Sequence, residues 1–156
     1  MAKKRQCGWG KFRSFKERGE WVELLFMAAA ACRGYLVLKP WGDSRAYDVG
    51  IEVLPGQLLR VQVKSTTRRR GTGYCCQLRR GSRCRPYSLD DIDVFAAYVV
   101  EEKVWYVIPA KTLLGKKTKD GIMLCPVSGE RHRCKYEQYR EAWVLLGKTR
   151  EELAGW

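Results

Sequence analysis

The chain has 156 residues, 46% of them hydrophobic, and a formal net charge of +13. That length suffices for one domain with a core, while no apolar run is long enough to span a bilayer as a helix and no signal-peptide pattern is visible. A soluble, cytoplasmic protein with no membrane partner is the expectation.

The charge is clustered. Residues 53–89 contain no Asp or Glu, yet they hold Arg60, Lys64, Arg68, Arg69, Arg70, Arg79, Arg80, Arg83 and Arg85. Clustering of this kind is the footprint of a polyanion partner. The seven cysteines are odd in number and include no Cys-x-x-Cys pair. A disulfide framework is not expected. Cys125, His132 and Cys134, joined by Cys75 or Cys84, offer a zinc alternative, but the reading adopted is buried thiols.

In chain order, residues 1–13 read as a basic arm, and 14–156 as a single domain. Ser14 is a plausible N-cap, with Glu17 completing a capping box. The helix that follows runs to about Cys32 and ends before Gly34, with Val22, Leu25, Phe26 and Ala29 on its apolar side. Glu20 and Glu23 share another face, from which one can point toward a site. Residues 35–38 form a short strand. Residues 40–45 form a loop in which Ser44 and Arg45 can touch phosphate.

Residues 47–53 and 58–65 read as two strands joined by a turn. Asp48, Gly50 and Glu52 share one face of the first strand; Arg60, Gln62 and Lys64 share one face of the second. A carboxylate, an amide oxygen and a lysine can together hold a hard divalent cation and a water, which is the chemistry of phosphodiester hydrolysis. A plain two-residue turn at Pro55-Gly56 would place Val49 opposite Gln62 and put Asp48 and Gln62 on different faces. A one-residue shift is therefore expected, from a three-residue loop or a bulge at Gly56.

Residues 65–73 read as a cationic loop, 74–78 as a strand, 79–86 as a second basic loop, and 87–93 as a turn or short helix capped by Ser88. Residues 94–100 and 104–109 read as a hairpin, with Phe95, Tyr98, Trp105 and Tyr106 in the core. Residues 111–133 are polar, with lysines at 116, 117 and 119. Residues 136–146 have helical spacing, with Tyr139, Trp143 and Leu146 on one side. Thr149 opens a short terminal helix.

Taken together, Gly19-Glu20-Trp21-Val22-Glu23, Tyr47-Asp48, Val61-Gln62-Val63-Lys64, the strands at 95–100 and 105–109, and Tyr139-Arg140-Glu141-Ala142-Trp143 resemble the PD-(D/E)xK nuclease superfamily. Within it the likeness is to small group I intron homing endonucleases and related bacterial proteins, with archaeal Holliday junction resolvases further off. The resemblance implies an α/β (α+β) restriction endonuclease-like core, a central mixed β-sheet flanked by helices. It implies a Mg²⁺-dependent DNA endonuclease, with Mn²⁺ as a substitute, acting on double-stranded or branched DNA in a bacterial cell. Cutting two strands calls for a homodimer or higher homo-oligomer.

By the same resemblance Glu23 is the helix glutamate, Asp48 the metal-holding aspartate, Gln62 the second acidic position and Lys64 the catalytic lysine. Glu23, Asp48, Gln62 and the carbonyl of Val63 form the metal set. The basic loops supply DNA contacts at Arg45, Ser65, Thr66, Arg68, Arg69, Arg70, Arg79, Arg80, Arg83 and Arg85. Tyr47 replaces the proline of the signature, and Gln62 replaces an acid; Glu52 or Glu23 can supply the missing carboxylate. A structure-specific junction nuclease, a non-catalytic DNA-binding module and a merely solubilised structural protein are the alternatives.

Overall fold

The computed structural model describes residues 12–81, 85–114, 120–127 and 134–156. Nearly all of the basic arm, together with Arg83, Cys84, His132 and the lysines at 116, 117 and 119, lies outside the described residues.

Helix α1 spans Phe15–Ala31. The Ser14 side chain accepts the Glu17 N–H at 3.1 Å, satisfying one donor that the helix leaves over at its start, while the Glu17 carboxylate turns back to accept the N–H of Arg13, one residue before the cap, instead of that of Ser14. Val22, Phe26 and Ala30 recur every four residues and are fully buried.

Among the described residues, eight strands follow one another as β1 (Leu36–Leu38), β2 (Val49–Leu54), β3 (Gln57–Thr66), β4 (Arg69–Arg70), β5 (Gly73–Gln77), β6 (Val94–Val99), β7 (Val104–Pro109) and β8 (Gly121–Leu124). Helix α2 (Ala110–Leu113) sits between β7 and β8, and α3 (Arg150–Ala154) closes the chain. Five strands form a mixed sheet in the order β1-β2-β3-β6-β7, in which only β3 and β6 run parallel. On one face of it Val49, Ile51, Val61, Val63, Val94, Ala96, Tyr98 and Trp105 are buried. Helix α1 covers that face, with Trp21 against Tyr98 and Phe26 against Trp105 and Trp143. The mixed sheet with helical cover matches the expected fold class. Among the described residues no helix is long and apolar enough to cross a membrane.

The β2–β3 hairpin carries the expected register shift. Val49 faces Val61 and Glu52 faces Leu58, but Leu54 faces Gln57, so one residue of β2 is extra. The irregularity falls at Val53, between Glu52 and Leu54, rather than at Gly56. Gly56 instead takes the left-handed position of the two-residue turn, with φ of +78°.

Three stretches fold differently from expectation. Residues 65–73 are not a loose loop: Arg69-Arg70 pairs back on β5, and β5 pairs with β8 in a second, three-stranded sheet. This sheet needs glycine at two points, since a Cβ on Gly73 would lie 2.7 Å from the Leu124 carbonyl and one on Gly121 would lie 2.8 Å from the Cys76 carbonyl. β8 itself lies within the stretch read as polar.

The expected helix at 136–146 breaks in two. Short 3₁₀ turns occupy Glu137–Tyr139 and Trp143–Gly147, and between them Arg140 bridges to Tyr106 and Glu141 adopts φ of +51°. The reason is the free edge of β7. The Glu141 N–H donates to the Trp105 carbonyl at 2.8 Å, while its carboxylate accepts the Trp105 N–H at 2.7 Å and the Trp143 indole N–H at 2.6 Å. Glu141→Ala therefore strands two buried donors, and a loss of about 2 kcal/mol is expected, read as the urea midpoint of unfolding.

Lastly, Cys125 and Cys134 are joined in a disulfide across nine residues, contrary to the expectation of thiols. Of the free cysteines described, Cys76 is buried, Cys75 is partly buried and Cys32 is exposed, so buried thiol describes only Cys76 well.

Candidate active site

The site is built where β2 begins. Past Val49 there is no strand partner for the far end of β3, so the Val63 N–H reaches a side chain instead: it donates to Asp48 Oδ2 at 2.9 Å. The Gln62 amide Nε2 donates to the same carboxylate oxygen and lies 3.3 Å from the Val63 carbonyl. The register shift at Val53 makes this possible, because it places Asp48 beside Gln62 on one face.

Lys64, two residues on, shares that face. Its Nζ donates to the Arg79 carbonyl at 3.2 Å and stands 5.3 Å from the centre of the Tyr87 ring. Glu23 reaches in from α1, and Lys39, just past β1, forms an ion pair with it. Glu20 points elsewhere, toward Lys16 at 3.8 Å on the surface. Glu23, Lys39, Asp48, Gln62, Lys64 and Arg80 line one cleft of about 380 Å³. Glu52 does not join them, since its carboxylate accepts the Gly56 N–H at 3.0 Å in the hairpin turn.

Burial dominates the electrostatics. It raises the Asp48 carboxyl to about 6, helped by the charge of Glu23 and opposed by the Val63 N–H, Lys64 and Lys39. Burial also lowers the Lys64 ammonium, against the attraction of Asp48. Two neighbouring anions and two neighbouring cations thus share one cleft.

The donors suit a hard divalent cation. The Gln62 amide already bridges Asp48 and the Val63 carbonyl, and a half-turn of that amide presents its oxygen in place of its nitrogen. Asp48, Gln62 and Val63 would then offer carboxylate, amide and backbone oxygen, with Glu23 as a further carboxylate at the wall. Among the described residues no three His, Cys, Asp or Glu side chains group as metal ligands, so the amide and carbonyl oxygens are needed.

The basic residues divide. Arg45 and Arg80 line the cleft, and the Arg80 guanidinium donates to the Arg45 carbonyl at 3.4 Å. Arg68, Arg69, Arg70 and Arg85 are exposed, and Ser65 is half-buried. Thr66 is not available to a phosphate: it is buried, donates to the Cys75 carbonyl at 2.7 Å and accepts the Arg68 N–H at 3.0 Å. The charge of Arg79 is committed to Asp120. Arg83 lies outside the described residues.

Sequence reasoning missed Lys39 and Tyr87 in the cleft. Lys39 precedes a proline and a turn, and nothing in its local pattern points inward. It also missed Arg18, whose guanidinium donates to the Thr67 hydroxyl at 3.0 Å while its buried Nε has no partner among the described residues.

A second recess of about 300 Å³ contains Arg60, Asp93 and Arg150. Asp93 is taken up by two arginines there, with Arg60 at 2.9 Å and Arg150 at 3.1 Å from the same oxygen, and Lys111 donates to the Ala154 carbonyl.

A model of the PD-(D/E)XK endonuclease family matches residues 13–146. Among solved structures, that of the bacterial homing endonuclease I-Ssp6803I is similar, with a TM-score of 0.73 and 33% sequence identity over 86% of this chain and 93% of that one. Comparison with curated protein sequences gives no match.

Proposed function

This chain belongs to the PD-(D/E)XK endonuclease family, it is a nuclease, and we propose that it is a Mg²⁺-dependent DNA endonuclease of homing type. The observation that carries the reading is the meeting of Asp48, Gln62, the Val63 carbonyl and Lys64 in one cleft, with Glu23 at its wall.

Bound there, a divalent ion would lower the pKa of a coordinated water and polarise the scissile phosphate. The protein's own part is positional. The Val63 N–H fixes one oxygen of Asp48, so the carboxylate needs no reorganisation when a cation arrives. The Lys64 ammonium, propped by the Arg79 carbonyl and the Tyr87 ring, orients the attacking water and offsets the charge that builds on the phosphate oxygens. Glu23 adds a second negative charge near Asp48, which compensates for the neutral amide at Gln62. Mn²⁺, with similar oxygen preference, is expected to substitute.

The substrate is read as duplex DNA lying across the cleft mouth, its phosphates neutralised by Arg45, Arg68, Arg69, Arg70, Arg80 and Arg85, with Ser65 beside them. Two cuts need two clefts, so the working form is read as a homodimer or higher assembly. The exposed Leu36 and Leu38 on the edge strand β1 offer an apolar strip for it. A cytoplasmic, bacterial setting fits a DNA substrate and the bacterial origin of the similar enzyme.

The test is cleavage of supercoiled plasmid, and of an immobile four-way junction, with Mg²⁺, with Mn²⁺ and with EDTA. Nicking or linearisation of plasmid with either metal, none with EDTA, and loss of cutting in Lys64→Ala are expected. Binding without cutting in either metal would sink the catalytic reading and leave a DNA-binding scaffold; selective cutting of the junction would move the assignment to a junction nuclease.

A further inference from the structure

The segment between β1 and β2 forms part of the cleft's rim. Pro40, Gly42 and Asp43 line the cleft, yet Trp41 between them is turned outward and is 97% exposed. Trp21, Trp105 and Trp143 all pack within the aromatic core. An indole held wholly in water gives up the burial that its large apolar surface would otherwise gain, and it contributes nothing to the fold.

The loop that presents it is anchored on both sides. Lys39 is ion-paired to Glu23, the Arg45 carbonyl receives Arg80, and Tyr47 packs against the core. The loop that carries the indole is thus tied at both ends beside the cleft, with arginines 45 and 80 on the same cleft. An aromatic plane set among phosphate-binding cations is the chemistry that engages stacked bases.

We propose that Trp41 is a wedge that enters the DNA at the cleft mouth and stacks on a base at an opened step, holding the backbone bent beside the scissile phosphate. The proposal rests on the nuclease reading and adds to it the manner in which the duplex is engaged.

The test uses the full chain with Ca²⁺ in place of Mg²⁺, so that DNA stays uncut. Two probes are compared: a short intact duplex of mixed sequence and the same duplex with a one-nucleotide gap, carrying 2-aminopurine opposite the gap. The gap removes the cost of opening a step. Wild type should bind the gapped duplex about tenfold more tightly than the intact one and quench the 2-aminopurine. Trp41→Ala should lose both the preference and the quench, while Trp41→Phe keeps most of each. A Trp41→Ala variant that retains preference and quench overturns the wedge alone. So does one that sediments as a smaller species than wild type, which assigns the indole to a protein contact. A wild type that binds neither probe overturns the wedge together with the DNA-nuclease reading.

Discussion

Asp48→Asn is expected to lower Mg²⁺-dependent cleavage by roughly 10³-fold or more and, in metal-free buffer at neutral pH, to raise the melting temperature. The two effects have one cause. Burial and Glu23 make the Asp48 charge costly, lifting its pKa from 3.8 to about 6. Because the folded value lies above the unfolded one, the folded chain binds this proton more tightly. The resulting stabilisation is complete below the unfolded pKa and is lost as pH rises through about 6. At neutral pH the ionised carboxylate therefore works against folding, by about 2–3 kcal/mol at 1.36 kcal/mol per pKa unit. Asparagine removes the charge and keeps an oxygen for the Val63 N–H, and the Gln62 amide can turn to accept from its nitrogen. A gain of roughly 5 °C follows for a chain of this size. Added Mg²⁺ should stabilise the wild type and leave the variant unchanged. Melting curves from acid to neutral pH, with EDTA and with Mg²⁺, are decisive. A variant less stable than wild type in EDTA at neutral pH would refute this account of the carboxylate.

Asp93→Asn is expected to act in the opposite direction, costing about 3–5 kcal/mol. One carboxylate holds two strands and the terminal helix together. Asp93 Oδ2 accepts the Arg60 N–H at 2.8 Å and its Nε–H at 3.0 Å, while Oδ1 accepts from the Arg60 guanidinium at 2.9 Å and lies 3.1 Å from Arg150 Nε. The side chains of Arg60 and Asp93 are only 17% and 10% exposed, so removing the anion leaves a guanidinium with little access to water and only the weaker charges of Asp91 and Asp90 to offset it. Burial alone would raise the Asp93 carboxyl, but the bonds and charge of Arg60, with Arg150 behind them, hold it below its ordinary value. That depressed value means the pair stabilises the protein above the ordinary carboxylate range and loses its contribution as pH falls through the folded pKa. Unfolding midpoints should thus fall in acid for wild type and change less for Asp93→Asn. A loss below about 1 kcal/mol at neutral pH would show the pair to behave like a surface contact.

Much of this was legible from the chain because alternation is strict where one face is buried. Asp48, Gln62 and Lys64 could be set on a common face from period-two spacing, and the requirement that they meet predicted the shift in the hairpin. Only its location was misplaced, since a bulge at Val53 and one at Gly56 give the same pairing beyond them. The core hairpin at Phe95, Tyr98, Trp105 and Tyr106 was visible for another reason, its continuous apolar runs, which are buried on both faces.

What stayed hidden depends on partners remote in sequence. Gly121–Leu124 is too short to announce a strand, and it exists because β5 offers it an edge. Residues 136–146 carry helical spacing, but Glu141 gains more by bonding the backbone of Trp105 and the indole of Trp143 than a continuous helix would provide. Lys39 enters the site only because α1 brings Glu23 beside it. Thr66 was read as a phosphate contact from its place in a basic stretch, which carries no sign of the Cys75 carbonyl that occupies it.

The single extra residue at Val53 fixes the parity of everything downstream in the hairpin. Adding or deleting an odd number of residues at the tip, with no bulge gained or lost to absorb it, would invert β3 relative to β2, turning Gln62 and Lys64 toward the helix and Val61 and Val63 outward. An even change would preserve the arrangement. The tip thereby sets which side chains face the cleft without lining the cleft itself.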